Sequence, residues 1–218
     1  MRSRARERWR RCGAAALLWC TGAAASLLGV GGALAQGLVF PDDPKSLFTA
    51  PGVANVFFQA CLRTGAQAEA AVDWALTQGF EPVDSLGGTG YELLESQAGN
   101  VLRAPGSEDR LLLVVTHDQR CTVWAHRVSG PQVRLAMAEV MDRLGTSGAR
   151  VTRDFERNIE RASAWRNQTQ WRYRALRGSA EFGVSAVTTL SITPATQALN
   201  MAPWQAPVGP APDGLPAR

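Results

Sequence analysis

Both histidines of the 218-residue chain lie in one ten-residue stretch, HDQRCTVWAH, where His117 and His126 flank Cys121. Three chemistries are open to that set. A thiolate nucleophile needs a base within hydrogen-bonding reach and a lowered pKa, and His117 reaches Cys121 if His117-Asp118-Gln119-Arg120 make a tight turn. A zinc site needs Cys61, His117, Cys121 and His126 to converge tetrahedrally, yet no short C-x-x-C or H-x-x-x-H pair anchors such a site. A disulfide needs only that the helix carrying Cys61 pack against the strand that Cys121 opens.

Alternation decides among them. In a strand, Cys121, Val123 and Ala125 point to one face while Thr122, Trp124 and His126 point to the other. His126 is thereby turned away from the sulfur. The Cys61–Cys121 bridge is the expected state, a cell-envelope hydrolase or thiol enzyme using Cys121 with His117 is the alternative, and no metal or cofactor is expected.

The amino-terminal segment supports the bridge by giving the chain an address. Residues 1–13 hold six arginines against Glu7, a small-residue apolar run follows, and Ala33-Leu34-Ala35 precedes Gln36. A basic flank, an apolar middle and an A-x-A site form a cleavable secretory signal, so residues 1–35 are expected to leave, with cleavage between Ala35 and Gln36. Cys12 and Cys20 leave with them, and two cysteines in an oxidising compartment read first as one disulfide.

Cleavage also changes the charge. The full chain carries 23 basic and 19 acidic side chains, a net charge of +4. Without the leader it has 17 basic and 18 acidic side chains and a net charge of −1. The bulk-charge case for nucleic acid therefore disappears, and no nucleic-acid partner is expected. Nor does a membrane span remain in the mature chain.

The elements that must position the cysteines follow from periodicity. Residues 36–51, with three prolines, read as an extended arm. Val53, Val56, Phe57, Ala60 and Cys61 repeat at helical spacing, which places Cys61 on a buried helical face. A second helix carries Ala68, Ala71, Val72, Ala75 and Leu76 and ends at Gly79. Tyr91–Glu95 and Asn100–Ala104 are predicted strands, Arg110–Thr116 is a continuous apolar run suited to a central strand, and Cys121–Val128 is its hairpin partner. Pro131–Leu144 is the clearest helix, with proline in its first turn. Val151–Glu156, Gln170–Leu176 and Phe182–Ile192 are predicted strands; Val151, Phe155 and Ile159 share a face in a strand, and their spacing of four also permits a helix over 151–160. From residue 194 the Pro/Ala/Gly-rich chain is expected to be a disordered tail. The sum is a single α+β domain over 52–193: a mainly antiparallel sheet with two amino-terminal helices and one central helix packed on it.

One segment has a partner-binding composition. Arg150–Arg177 contains eight arginines against Asp154, Glu156 and Glu160, with Trp165, Trp171 and Tyr173 interleaved. Arginine with aromatics suits an anionic or stackable ligand, so Arg153, Arg157, Arg172 and Arg174 are the candidate ligand-binding residues. Otherwise the aromatics face the core and the arginines form a solvated row. Asn167-Gln168-Thr169 matches a glycosylation acceptor, taken as a chance match.

The Ala/Arg-rich leader, single cysteine pair, α+β body and proline-rich tail together resemble the small exported proteins of Gram-negative bacteria. The expected function is that of a periplasmic or secreted, non-enzymatic protein binding an envelope partner or anionic ligand.

Overall fold

The computed structural model of the protein describes residues 44–84, 88–161, 164–190 and 196–205. The signal segment with Ala33, Ala35 and Gln36, the start of the arm, and the last thirteen residues lie outside them.

Eight strands form one sheet: β1 (Glu81–Val83), β2 (Gly99–Arg103), β3 (Leu111–Thr116), β4 (Cys121–His126), β5 (Arg150–Arg161), β6 (Ala164–Arg174), β7 (Phe182–Leu190) and β8 (Thr196–Pro203). Their order is β1-β2-β3-β4-β8-β7-β6-β5, and every neighbouring pair is antiparallel. Two four-strand meanders thus meet at a β4–β8 seam, where Cys121 opposes Met201 and His126 opposes Thr196. A helix precedes each meander: α1 (Ala50–Phe57) the first and α4 (Gly130–Thr146) the second. The chain therefore repeats one architecture twice, although no sequence repeat marks it.

The sheet's two faces differ because its residues do. In β4, β7 and β8 burial alternates strictly, as it must when only one face meets a helical layer. Val123, Ala125, Val184, Ala186, Leu199 and Met201 turn to that layer. In β3 all six residues are buried, because α2 (Ala68–Thr77) and α1 lie on one side and α3 (Gly88–Leu94) lies on the other. The continuous apolar run of β3 is what double cover requires.

Helix α1 is buried nearly all round, from Ala50 to Phe57, the pattern of a helix inside a core rather than on its surface. Thr49 caps it by accepting a hydrogen bond from the Gly52 N–H at 3.2 Å, replacing one partner that the first turn lacks. A π-helical turn, Phe58–Leu62, continues it and carries Cys61. Gly79 closes the turn after α2 with φ +80°, the left-handed conformation that suits glycine.

At the start of α4, the fully buried Gln197 of β8 meets three backbone groups. Its Nε2 donates to the carbonyls of Val128 and Thr189, each at 3.0 Å, and its Oε1 accepts from the Thr189 N–H at 2.8 Å. Gly130 approaches so closely that a Cβ there would sit 2.3 Å from the Thr189 carbonyl oxygen.

Four expectations are corrected. Tyr91–Glu95 belongs mainly to α3, not to a strand. Its Leu93 and Leu94 pack on Val101 and Val114 of the second sheet face, a tertiary contact that the local pattern does not encode. The Pro/Ala-rich end, expected to be disordered from 194, contributes β8 to the middle of the sheet; Gln197, Leu199 and Met201 alternate inward there. The end of the expected arm is a 3-10 turn, Pro44–Phe48, followed by the first residues of α1. Lastly, a bulge between Arg153 and Phe155 breaks the alternation of β5: Val151 pairs with Tyr173 on the helix side, while Phe155 and Ile159 turn to the opposite face.

Gln197→Leu leaves the Thr189 N–H and two carbonyls without their partner, and each buried polar group orphaned in this way costs about 1–3 kcal/mol. The expected result is a loss of about 3 kcal/mol in a urea denaturation series. A loss below about 1 kcal/mol would show that water replaces the glutamine and that it does not anchor α4.

Candidate ligand-binding face

Cys61 and Cys121 are joined by a disulfide, with Cα atoms 5.5 Å apart and a sequence separation of 60. Both are fully buried. His117, by contrast, lies in the exposed turn between β3 and β4, where its backbone N–H donates to the Ala98 carbonyl at 2.9 Å. The alternative nucleophile is therefore held in a covalent bond, with its sulfur in the core. Among the described residues no group of three or more His, Cys, Asp or Glu side chains converges as a metal site would require. No helix among them is long and apolar enough to cross a membrane.

His126 points to the face opposite Cys121, as alternation demands. Its Nδ1 lies 3.1 Å from the Thr196 hydroxyl. Burial lowers its pKa below the ordinary histidine value; the Arg127 charge adds to the effect and Asp109 opposes it.

The second face of β4, β8, β7, β6 and β5 is open where α3 does not reach. The cross-strand register sets its side chains in rows. One row runs Thr122, Asn200, Ser185, Gln170 and ends at Phe155. The neighbouring row runs Trp124, Ala198, Val187, Gln168 and Arg157. Two hollows open over these rows, of about 250 Å³ beside α3 and about 420 Å³ beside Trp204, and both are lined by Arg120, Ser185 and Asn200. Arg120 at the rim pairs with Asp118 at 3.0 Å. Trp204 packs over Gly183, and the Arg172 guanidinium lies 5.4 Å from its ring centroid.

The structure sorts the four candidate arginines. Arg157, Arg172 and Arg174 lie on the open face, paired in register with Gln168, Thr152 and Arg150. Arg153 lies on the helix side opposite Trp171, because the bulge comes after it. There it pairs with Glu156 at 3.2 Å, which Arg134 of α4 also holds at 2.9 Å. Trp171 and Tyr173 are buried in the core, so these aromatics serve packing. Two arginines of the same open face are additions: Arg150 opposite Arg174, and Arg166 opposite Ile159 and Thr189. The alternation of Arg166 with Arg172 and Arg174 along β6 is the signal that could have found Arg166.

Asn167 is fully buried. Its Nδ2 donates to Glu156 at 3.1 Å and to Asn158 at 2.6 Å, and its Oδ1 accepts from Thr169 at 2.8 Å. The apparent glycosylation acceptor is thus a structural residue, its amide consumed by the fold.

No protein-family model matches this chain, and none of the curated proteins matches it.

The lowered His126 pKa has a thermodynamic consequence. A histidine held neutral in the folded state contributes stability that is present above its unfolded pKa of about 6.5 and is lost as pH falls below it. His126→Gln keeps a partner for Thr196 without a titrating ring. Between neutral pH and about pH 5.5, the urea midpoint of the parent protein should fall more than that of H126Q. Parallel pH profiles would contradict the assignment.

Proposed function

We propose that the protein is an exported bacterial protein of the periplasm or the external medium, which acts without catalysis by holding an anionic ligand, or an acidic surface of an envelope partner, against the open sheet face. The observation that carries this reading is the charge of that face along β5 and β6. Arg150, Arg157, Arg166, Arg172 and Arg174 share it, and the only acid interleaved with them is Asp154, which pairs with Arg172 at 2.9 Å.

Arg150, Arg157, Arg166 and Arg174 make no ion pair with any described residue. Each unpaired guanidinium offers a planar fork of donors matched to carboxylate or phosphate. Strand geometry spreads them along about 27 Å of ribbon, about three Debye lengths at physiological salt, so they suit an extended anion better than a single ion. The disulfide supports the export half of the reading, since such bonds persist in oxidising compartments.

The test is binding of the purified, disulfide-bonded protein to immobilised inorganic polyphosphate, an extended anion free of protein or sugar. Affinity should fall as salt rises, and R157E/R166E should weaken it by about tenfold or more. Both arginines are exposed, so the double variant should keep the parent's denaturation midpoint. No binding, or binding indifferent to the two reversals, would sink the reading.

A further inference from the structure

Resting on this anionic-ligand reading, we infer that the ligand is an acidic oligosaccharide, lying across the strands with its acid groups toward β5 and β6. The row Thr122, Asn200, Ser185, Gln170 carries this inference. These four side chains come from four adjacent strands, β4, β8, β7 and β6, and share one face. All four are half-buried, and none makes a side-chain hydrogen bond to any described residue. At strand spacing the row spans about 14 Å, too long for a lone ion.

The chemistry of the row matches hydroxyl groups. Serine, threonine, asparagine and glutamine each offer a donor and an acceptor, as does every sugar hydroxyl. An extended peptide brings a different demand, one backbone donor and one acceptor per residue. Peptides meet it by joining a sheet edge; on a sheet face the strands' own backbone groups are already consumed in the ladder.

The surroundings complete the fit. Ala198, Ala202 and Gly183 beside the row keep the floor low and partly apolar, suited to the C–H face of a pyranose ring. Trp124 and Trp204 stand toward opposite ends of the two hollows. Around the groove itself the charges are few, and Asp118 and Arg120 neutralise each other. Acid groups would find their partners beyond the Gln170 end of the row, at Arg157, two residues along β5 from Phe155, and Arg166, four residues along β6 from Gln170.

Calorimetric titration with an oligogalacturonate, its neutral counterpart oligogalactose, and polyphosphate tests this. The oligogalacturonate should bind more tightly than the neutral sugar. Q170A/N200A should weaken oligogalacturonate binding about tenfold, the loss expected of two hydrogen bonds, and leave polyphosphate binding unchanged. R157E/R166E should weaken both anions. If Q170A/N200A leaves oligogalacturonate binding intact, the sugar assignment falls while the anionic face stands. Equal binding of the neutral sugar overturns the requirement for acid groups. If neither polyphosphate nor oligogalacturonate binds, the underlying reading falls with it.

Discussion

The Cys61–Cys121 bond joins the two parts of the molecule that must agree for the rest to form. Cys61 lies in the turn that ends the most buried helix, and Cys121 opens β4, the strand at which the two meanders meet. Closing a loop of this length removes conformational freedom from the unfolded chain, a contribution of about 4 kcal/mol on the chain-entropy model. That is a large share of the 5–15 kcal/mol typical of a domain. The bond also fixes an orientation. With the sulfur of Cys121 toward α1, alternation sends Thr122, Trp124 and His126 to the opposite face, and through the β4–β8 register it sends Asn200 and Ala198 there too.

The open face follows from that single parity. Helices α1, α2 and α4 cover one side of the sheet, and α3 covers only the β2–β3 part of the other. The remaining strands keep small and polar residues outward, as an antiparallel sheet with one solvated face does. The asymmetry separates residues by direction: those pointing one way pack in the core, and those pointing the other way line the open face. Arg153 and Arg157 illustrate it. They are four positions apart, yet the bulge between them gives the first to a polar network with Glu156 and the second to the open face.

Much of this was legible in the sequence, and what was not has physical causes. The parity of CTVWAH identified both the crosslinked cysteine and the outward histidine, and the helical spacing around Cys61 and along α4 held. Continuous apolarity identified β3 as a central strand. Three features resisted. The strand β8 hides in a Pro/Ala-rich context, because its core residues Gln197, Leu199 and Met201 include a polar side chain whose partners come from the loops before α4 and within β7. Helix α3 is short, and Leu94 gains its burial from strands distant in sequence. The bulge at Asp154 carries no glycine or proline to announce it. The polar row was invisible for a related reason: Thr122, Gln170, Ser185 and Asn200 are scattered over 79 positions and assemble only through cross-strand register.

The central claim is that an oxidised Cys61–Cys121 pair fixes which side of the sheet faces the helices and which side stays open. Protein recovered from the native cell envelope and alkylated under denaturing, non-reducing conditions tests it most directly. The account predicts no label on either cysteine and a non-reduced digest in which their two peptides are covalently linked. Full alkylation of both thiols would contradict it.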